Sequence, residues 1–210
     1  GRGVCTSPCA EAEASNSYIG CEYWPVTSVN SVNEDFEFAV VVANPQDVPA
    51  EVRVTRGGSM VASATVPAGG LETLRLPWVS QLKETSVPDA DDIPRPRSAL
   101  VRGAAYRLNS NLPVTVYQFN PLEYRIARDC AEGDQSPDDG ECFSFSNDAS
   151  LLLPTHVLTG NYIGVARATR HQRVSVELGD DTVGPFYTAT PGYLTVVATA
   201  DEPVTVNVRL

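Results

Sequence analysis

The 210 residues predict an all-β fold of tandem antiparallel β-sandwich units, the second incomplete. Three observations carry that prediction. A pattern of strand, polar turn, proline and strand occurs three times, at residues 36–54, 105–119 and 193–210. No segment sustains a helical period, and the prolines and glycines fall between the apolar runs. Seven short strands in about 110 residues suit an immunoglobulin-like two-sheet sandwich. Four-stranded blades of a β-propeller are the alternative.

Residues 1–17 are small and polar, carry Cys5 and Cys9, and read as a cysteine-bearing linker. Residues 18–126 make the first unit. Its first strand, 18–26, is aromatic and β-branched and stops at Pro25. Strands over 36–43 and 50–55 are expected to pair as a hairpin across the polar, proline-flanked stretch from Asn44 to Pro49. Gly57, Gly58 and Ser59 form a tight turn into 60–66, residues 67–70 form another, and 71–77 alternates as a strand. Residues 83–97 hold four acids and three prolines and read as a long surface loop. A lead-in at 105–108 then meets a turn at Asn109, Ser110 and Asn111, and Pro113 opens a strand in which Val114 and Val116 alternate with Thr115 and Tyr117.

Residues 127–145 form an acidic disulfide loop, and 146–210 a partial second β unit. Tyr162-Ile163-Gly164 repeats Tyr18-Ile19-Gly20, and Pro203-Val204-Thr205-Val206 repeats Pro113-Val114-Thr115-Val116, so an internal duplication is expected. The second copy stops at Leu210 after one hairpin, and the chain is expected to end within a domain.

The formal charge of −11, from 26 acids and 15 bases, disfavours nucleic acid and anionic membrane surfaces as partners. Lys83 is the single lysine, and the sequence gives it no functional weight. Five cysteines without a Cys-x-x-Cys pair, and no histidine at metal spacing, argue against zinc and for an oxidising compartment. Cys130 and Cys142 flank the acidic loop and are expected to bond, closing a loop worth about 3 kcal/mol. Cys9 with Cys21 is the preferred second bridge, which leaves Cys5 either free or for a partner upstream in a longer chain. No apolar run is long enough to cross a bilayer and no signal peptide is present. A mature or excised segment of an exported protein fits these features.

Candidate chemistry is sparse. His156 and His171 lack a nucleophile in a recognisable context, although Ser150 and Cys142 lie near His156 in sequence. Asp134, Asp138, Asp139 and Glu141 cluster as hard-cation ligands would, but not at EF-hand spacing, and read as a solvated loop. Asp89, Asp91 and Asp92 read the same way. Trp24 and Trp78 could offer a sugar-stacking platform, yet each sits beside a proline at a strand end, where core packing is favoured. Asn147 and Asp148 suit a turn. No cofactor, metal or catalytic residue is assigned.

The segments Ser17 to Trp24, Pro113 to Pro121 and Ser146 to His156 resemble the N-terminal domain family of IgGFc-binding proteins, nearest to its bacterial branch of secreted or lipid-anchored myxobacterial proteins. The resemblance covers residues 17–210 and implies secretion and a binding role, with no site residue attached. The functional expectation is an extracellular or cell-surface, non-enzymatic module that recognises a protein or glycan. A structural spacer or accessory module of a larger protein is the alternative, and a secreted hydrolase stands third. Partners are expected to be a protein or glycoprotein ligand and neighbouring domains of a longer chain. The loops at 83–97 and 128–143 are expected to meet a neutral or basic ligand.

Overall fold

A computed structural model describes residues 7–30, 32, 35–83, 98–127, 141–144, 146–168, 170–178, 181–190, 192–200 and 202–209. In chain order the elements are α1 Pro8–Ala14, β1 Gly20–Tyr23, β2 Phe38–Ala43, β3 Ala50–Arg56, β4 Ser59–Val66, β5 Leu71–Leu76, α2 Ser80–Lys83, β6 Tyr106–Phe119, β7 Arg125–Ile126, β8 Cys142–Phe143, β9 Ala149–Leu151, β10 Arg170–Leu178 and β11 Asp181–Thr190. A 3-10 turn, Thr155–Val157, follows β9. The all-β prediction holds: the described residues build an antiparallel seven-stranded system, nearly barrel-like, and two separate strand pairs.

β6 is the shared element. Its first half pairs with β3 on one side (Arg56 opposite Tyr106, Val52 opposite Ser110) and β1 on the other (Tyr23 opposite Leu108). Its second half pairs with β2 (Ala43 opposite Thr115) and β9 (Tyr117 opposite Leu151). With β4 beside β3 and β5 beside β2, two four-stranded layers, β4-β3-β6-β1 and β5-β2-β6-β9, share one continuous strand.

This corrects the turn predicted at residues 109–111. The chain does not reverse there; it crosses from one layer to the other. The β3 ladder ends at Ser110 and the β2 ladder begins at Thr115, so Pro113 lies where neither needs its missing N–H. The polar run serves neighbours instead. Asn111 Oδ1 accepts from the Glu51 N–H at 2.8 Å, and Asn109 Nδ2 reaches Glu22 Oε1 at 3.4 Å.

The hairpin predicted between 36–43 and 50–55 is likewise a corner, since β2 and β3 belong to opposite layers. Asn44 secures it. Its buried amide donates to the carbonyls of Val48 (2.8 Å), Val66 (3.1 Å) and Pro67 (3.1 Å), and its Oδ1 accepts from the Gln46 N–H (3.0 Å). One side chain thereby clasps two connections that pass between the layers, β2 to β3 and β4 to β5. The turn at Gly57 and Gly58 forms as expected, with both φ values positive (55° and 82°), as a two-residue hairpin loop needs.

Alternation places the core. Ala50, Val52 and Val54 of β3 point inward while Glu51 and Arg53 point out, and Leu108, Val114 and Val116 of β6 join Tyr23, Phe38, Val40, Val42, Leu74, Leu76 and Tyr106 between the layers. Residues 8–14 form a helix and not a plain linker, because Ser7 caps it, accepting from the Ala10 N–H at 3.2 Å, and Pro8 presets its first turn. Cys9 bonds Cys21, tying α1 to β1. Cys142 is buried and disulfide-bonded; Cys5 and Cys130 lie outside the described residues.

The described residues show one sandwich and no tandem copy. β9 belongs to the first unit, so the division drawn at 145/146 cuts through it. Gly164, Val165 and Ala166 are exposed and outside any strand, whereas the corresponding Gly20, Cys21 and Glu22 lie in β1. Residues 192–200 and 202–209 form no strand either. The hairpin β10–β11 pairs from Arg170 opposite Thr190 to Leu178 opposite Asp181.

Candidate functional site

At the end of the sandwich where β3 stops and β6 starts, a cleft of about 270 Å³ opens. Arg56, Trp78, Ser80, Gln81, Val101 and Arg102 line it together with Val79, Gly103 and Ala104. Three separate stretches meet here for stated reasons. The β3–β6 register sets Arg56 opposite Tyr106. Pro77 ends β5, and α2 then starts at Ser80, with Leu82 and Lys83 N–H groups bonded back to the Val79 carbonyl (2.8 and 3.0 Å). Gly103, at φ +64°, backs onto the β3–β4 turn, where a Cβ would stand 3.6 Å from Gly57 Cα.

The arginines give the cleft its character. Arg56 Nη1 donates to the Tyr106 hydroxyl at 2.9 Å, and the guanidinium lies 5.3 Å from the Tyr106 ring centroid. Tyr106 in turn donates to the Pro77 carbonyl. Burial pushes the Tyr106 phenol above its ordinary pKa, against the opposing pull of Arg56. Arg56 is therefore held in place with donors to spare. Among the described residues no carboxylate is within ion-pair distance of Arg56 or Arg102, whereas Arg75, Arg107 and Arg125 each pair with glutamate.

The tryptophans do not present open faces. Trp78 Nε1 donates to the Phe36 carbonyl at 2.7 Å, its ring stands 5.7 Å from that of Phe38, and the Lys83 ammonium lies 5.4 Å from its centroid. Lys83, the chain's one lysine, is buried and donates to the Val32 carbonyl. Trp24 Nε1 donates to Thr155 Oγ1 at 3.1 Å, and Arg107 covers its ring at 5.5 Å. Both indoles are structural walls, as packing against strand ends implied.

A second polar cluster surrounds Trp24. Glu22 pairs with Arg107 at 2.5 Å. Burial raises the Glu22 carboxyl, but hydrogen bonds from Thr155, Arg107 and Asn109 and the Arg107 charge outweigh it and leave the pKa lowered. The Pro154 ring and His156 pack on Gly20, where a Cβ would stand 2.5 Å from Pro154 Cβ. His156 Nε2 is buried with no hydrogen-bond partner among the described residues. Thus Gly20 to Trp24 and Pro154 to His156, remote in sequence, meet.

The other candidate residues do not converge. Ser150 is exposed in β9, paired opposite Gln118, and Cys142 is held in a disulfide, so neither combines with His156 as a nucleophile. His171 lies in β10 opposite Ala189. Glu141 pairs with Arg125 at 3.1 Å. Asp148 accepts from Ser146 Oγ at 3.4 Å, while Asn147 is exposed. Asp134, Asp138, Asp139, Asp89, Asp91 and Asp92 lie outside the described residues, as do the loops at 84–97 and 128–140. Sequence reasoning passed over Arg56 and Arg102, because only strand register and the Gly103 turn bring them together.

The fold and this cleft define a disulfide-bonded all-β sandwich with an arginine-lined end. No known family, curated protein or solved structure matches the chain. Among the described residues no helix is long and apolar enough to cross a membrane. The disulfide and that finding are compatible with a secreted protein.

Proposed function

We propose that the chain is an extracellular, non-enzymatic binding module that engages a protein or glycoprotein partner at the arginine-lined end of its sandwich. The observation that carries this reading is the cleft itself. Two guanidinium groups without a described carboxylate partner, one of them anchored on Tyr106, stand together on a chain of charge −11. Loops and strand ends on a rigid β scaffold are where such modules place contacts. Residues 78–81 and 101–104, which line the cleft with Arg56, stand in sequence on either side of the stretch 83–97 read as a loop. The resemblance to the IgGFc-binding family supports secretion and a binding role. The cleft's positive lining favours a ligand that presents an acid, where the acidic loops alone favoured a neutral or basic one.

The test is retention of the chain on immobilised immunoglobulin Fc, mucin and bacterial-surface glycoproteins, at low and high salt, for wild type and Arg102→Glu. Binding that falls with salt and is lost in the variant supports the proposal. Equal binding by both proteins removes the site from this end, and turnover of any of these substrates overturns the non-enzymatic reading. No retention on any surface favours the spacer.

A further inference from the structure

We infer that the cleft takes a carboxylate-bearing sugar, one hexuronic or sialic acid unit of a glycan. This rests on the proposed binding role and names its ligand. At about 270 Å³ the cleft falls below the roughly 300–1,000 Å³ of sites for drug-sized molecules, which limits it to a single small unit. Its charge selects an anion, because Arg56 and Arg102 both line it and neither is ion-paired among the described residues. The planar guanidinium matches a planar carboxylate in a two-point contact. Arg56 is already held by the Tyr106 hydroxyl and ring, so little side-chain freedom is lost on binding.

The remaining walls favour a polyol over a peptide. Ser80 and Gln81 are exposed at the first turn of α2 and offer a hydroxyl and an amide to ring hydroxyls. A peptide carboxylate would arrive with a chain needing either an apolar pocket or a strand edge beside it. Trp78 lines the cleft but is half-buried, with Lys83 and Phe38 beside its ring, so it offers little free surface as an apolar anchor. Recognition therefore runs through charge and hydrogen bonds.

The experiment is amide chemical-shift titration of the whole chain with sodium glucuronate, N-acetylneuraminate, glucose, methyl glucuronate ester and N-acetylglutamate amide. Arg102→Gln and Gln81→Ala serve as variants, both positions being exposed and outside the core. The expected result is a shift confined to Arg56 and residues 78–82 and 101–104 with the two acidic sugars. Affinity should weaken about tenfold or more in Arg102→Gln, the loss expected for one charge-assisted contact, and the ester and glucose should be far weaker. Equal response to the neutral sugars overturns the carboxylate assignment and leaves the cleft as a sugar site. A stronger response to N-acetylglutamate amide overturns the sugar in favour of an acidic peptide. No response at these amides with any probe overturns the ligand class, and the retention assay on glycoproteins then decides separately whether the binding role survives.

Discussion

The Tyr23 phenol of β1 donates to the main-chain carbonyl of Val114, beside the point where β6 leaves one layer for the other, and the Tyr18 carbonyl also lies within 3.0 Å of it. Tyr23 is fully buried. A side chain that fills the core and also meets a carbonyl next to Pro113 holds the crossing in place. Replacing Tyr23 with Phe keeps the ring and removes the donor, and the expected loss is about 1–3 kcal/mol in urea unfolding. A loss near zero would show that the hydroxyl is incidental.

The same phenol makes stability depend on alkaline pH. Burial raises the folded-state pKa of both Tyr23 and Tyr106 above the ordinary value near 10. The unfolded chain therefore releases these protons first. Their contribution is complete below about pH 10 and is lost as pH rises through the folded values. Unfolding midpoints should be flat on the neutral side of that value and decline above it, less steeply in Tyr23→Phe. Identical alkaline slopes for the two proteins would rule Tyr23 out as a source.

Asn44 is the second test of the layered architecture. Its amide serves three carbonyls from two loops, so Asn44→Ala strands the buried Val66 carbonyl and takes a donor from the part-buried Val48 and Pro67 carbonyls. A loss of about 1–3 kcal/mol is expected, the cost of leaving one buried group unsatisfied. Asn44→Asp should be at least as damaging, because a carboxylate cannot donate to those carbonyls. Calorimetric unfolding that showed either variant within about 1 kcal/mol of wild type would mean that the loops hold without this clasp.

Much of this fold was legible, and the misreadings share a cause. Val52 and Val54 alternating with Glu51 and Arg53, and the Gly57-Gly58 pair, are local signals, and β3, β4 and their turn appeared where those signals pointed. Asn109, Ser110 and Asn111 are turn residues by local chemistry, yet their side chains bond Glu51, Glu22 and the Leu112 N–H while the backbone runs straight on. Local propensity cannot say which layer a strand joins, and so β2 and β3 were paired with each other. Val204 and Val206 alternate as well as Val114 and Val116, but alternation specifies strand competence and not a partner. The hairpin β10–β11 has a local sequence signal, the Gly-Asp pair at 179–180 between its two strands. The cleft was the least legible part, since Arg56, Ser80 and Arg102 share nothing in sequence.

Gly20 tests how the two remote segments meet. A Cβ there would stand 2.5 Å from Pro154 Cβ and 2.9 Å from His156 Cε1, closer than carbon contacts allow. Gly20→Ala should therefore push the 3-10 turn off β1, at about 1–3 kcal/mol for overpacking. Trp24 fluorescence should change in step, because its N–H bonds Thr155 within that turn. A variant as stable as wild type with unchanged fluorescence would mean that the turn docks loosely. Gly164→Ala offers a contrast, since a Cβ there meets the Leu194 side chain at 3.1 Å, outside the sandwich core.

The Glu22–Arg107 pair should make stability fall on the acid side. The folded-state pKa of Glu22 is lowered from 4.5: burial works against ionisation, but Thr155, Arg107 and Asn109 hydrogen bonds and the Arg107 charge prevail. Because the folded value lies below the unfolded one, the unfolded chain takes up the proton first as pH falls. The contribution is therefore fully present above about pH 4.5 and lost as pH drops through the folded value. Both side chains are partly exposed, so Glu22→Gln should cost under about 1 kcal/mol at neutral pH. The difference from wild type should shrink steadily below pH 4.5, where wild-type Glu22 is itself becoming neutral. Releasing Arg107 also loosens the cation over Trp24, so wild-type fluorescence in acid should move toward that of Glu22→Gln at neutral pH. A stability gap that stays constant through the acid range would show that the loss comes from shape or hydrogen bonding and not from the charge.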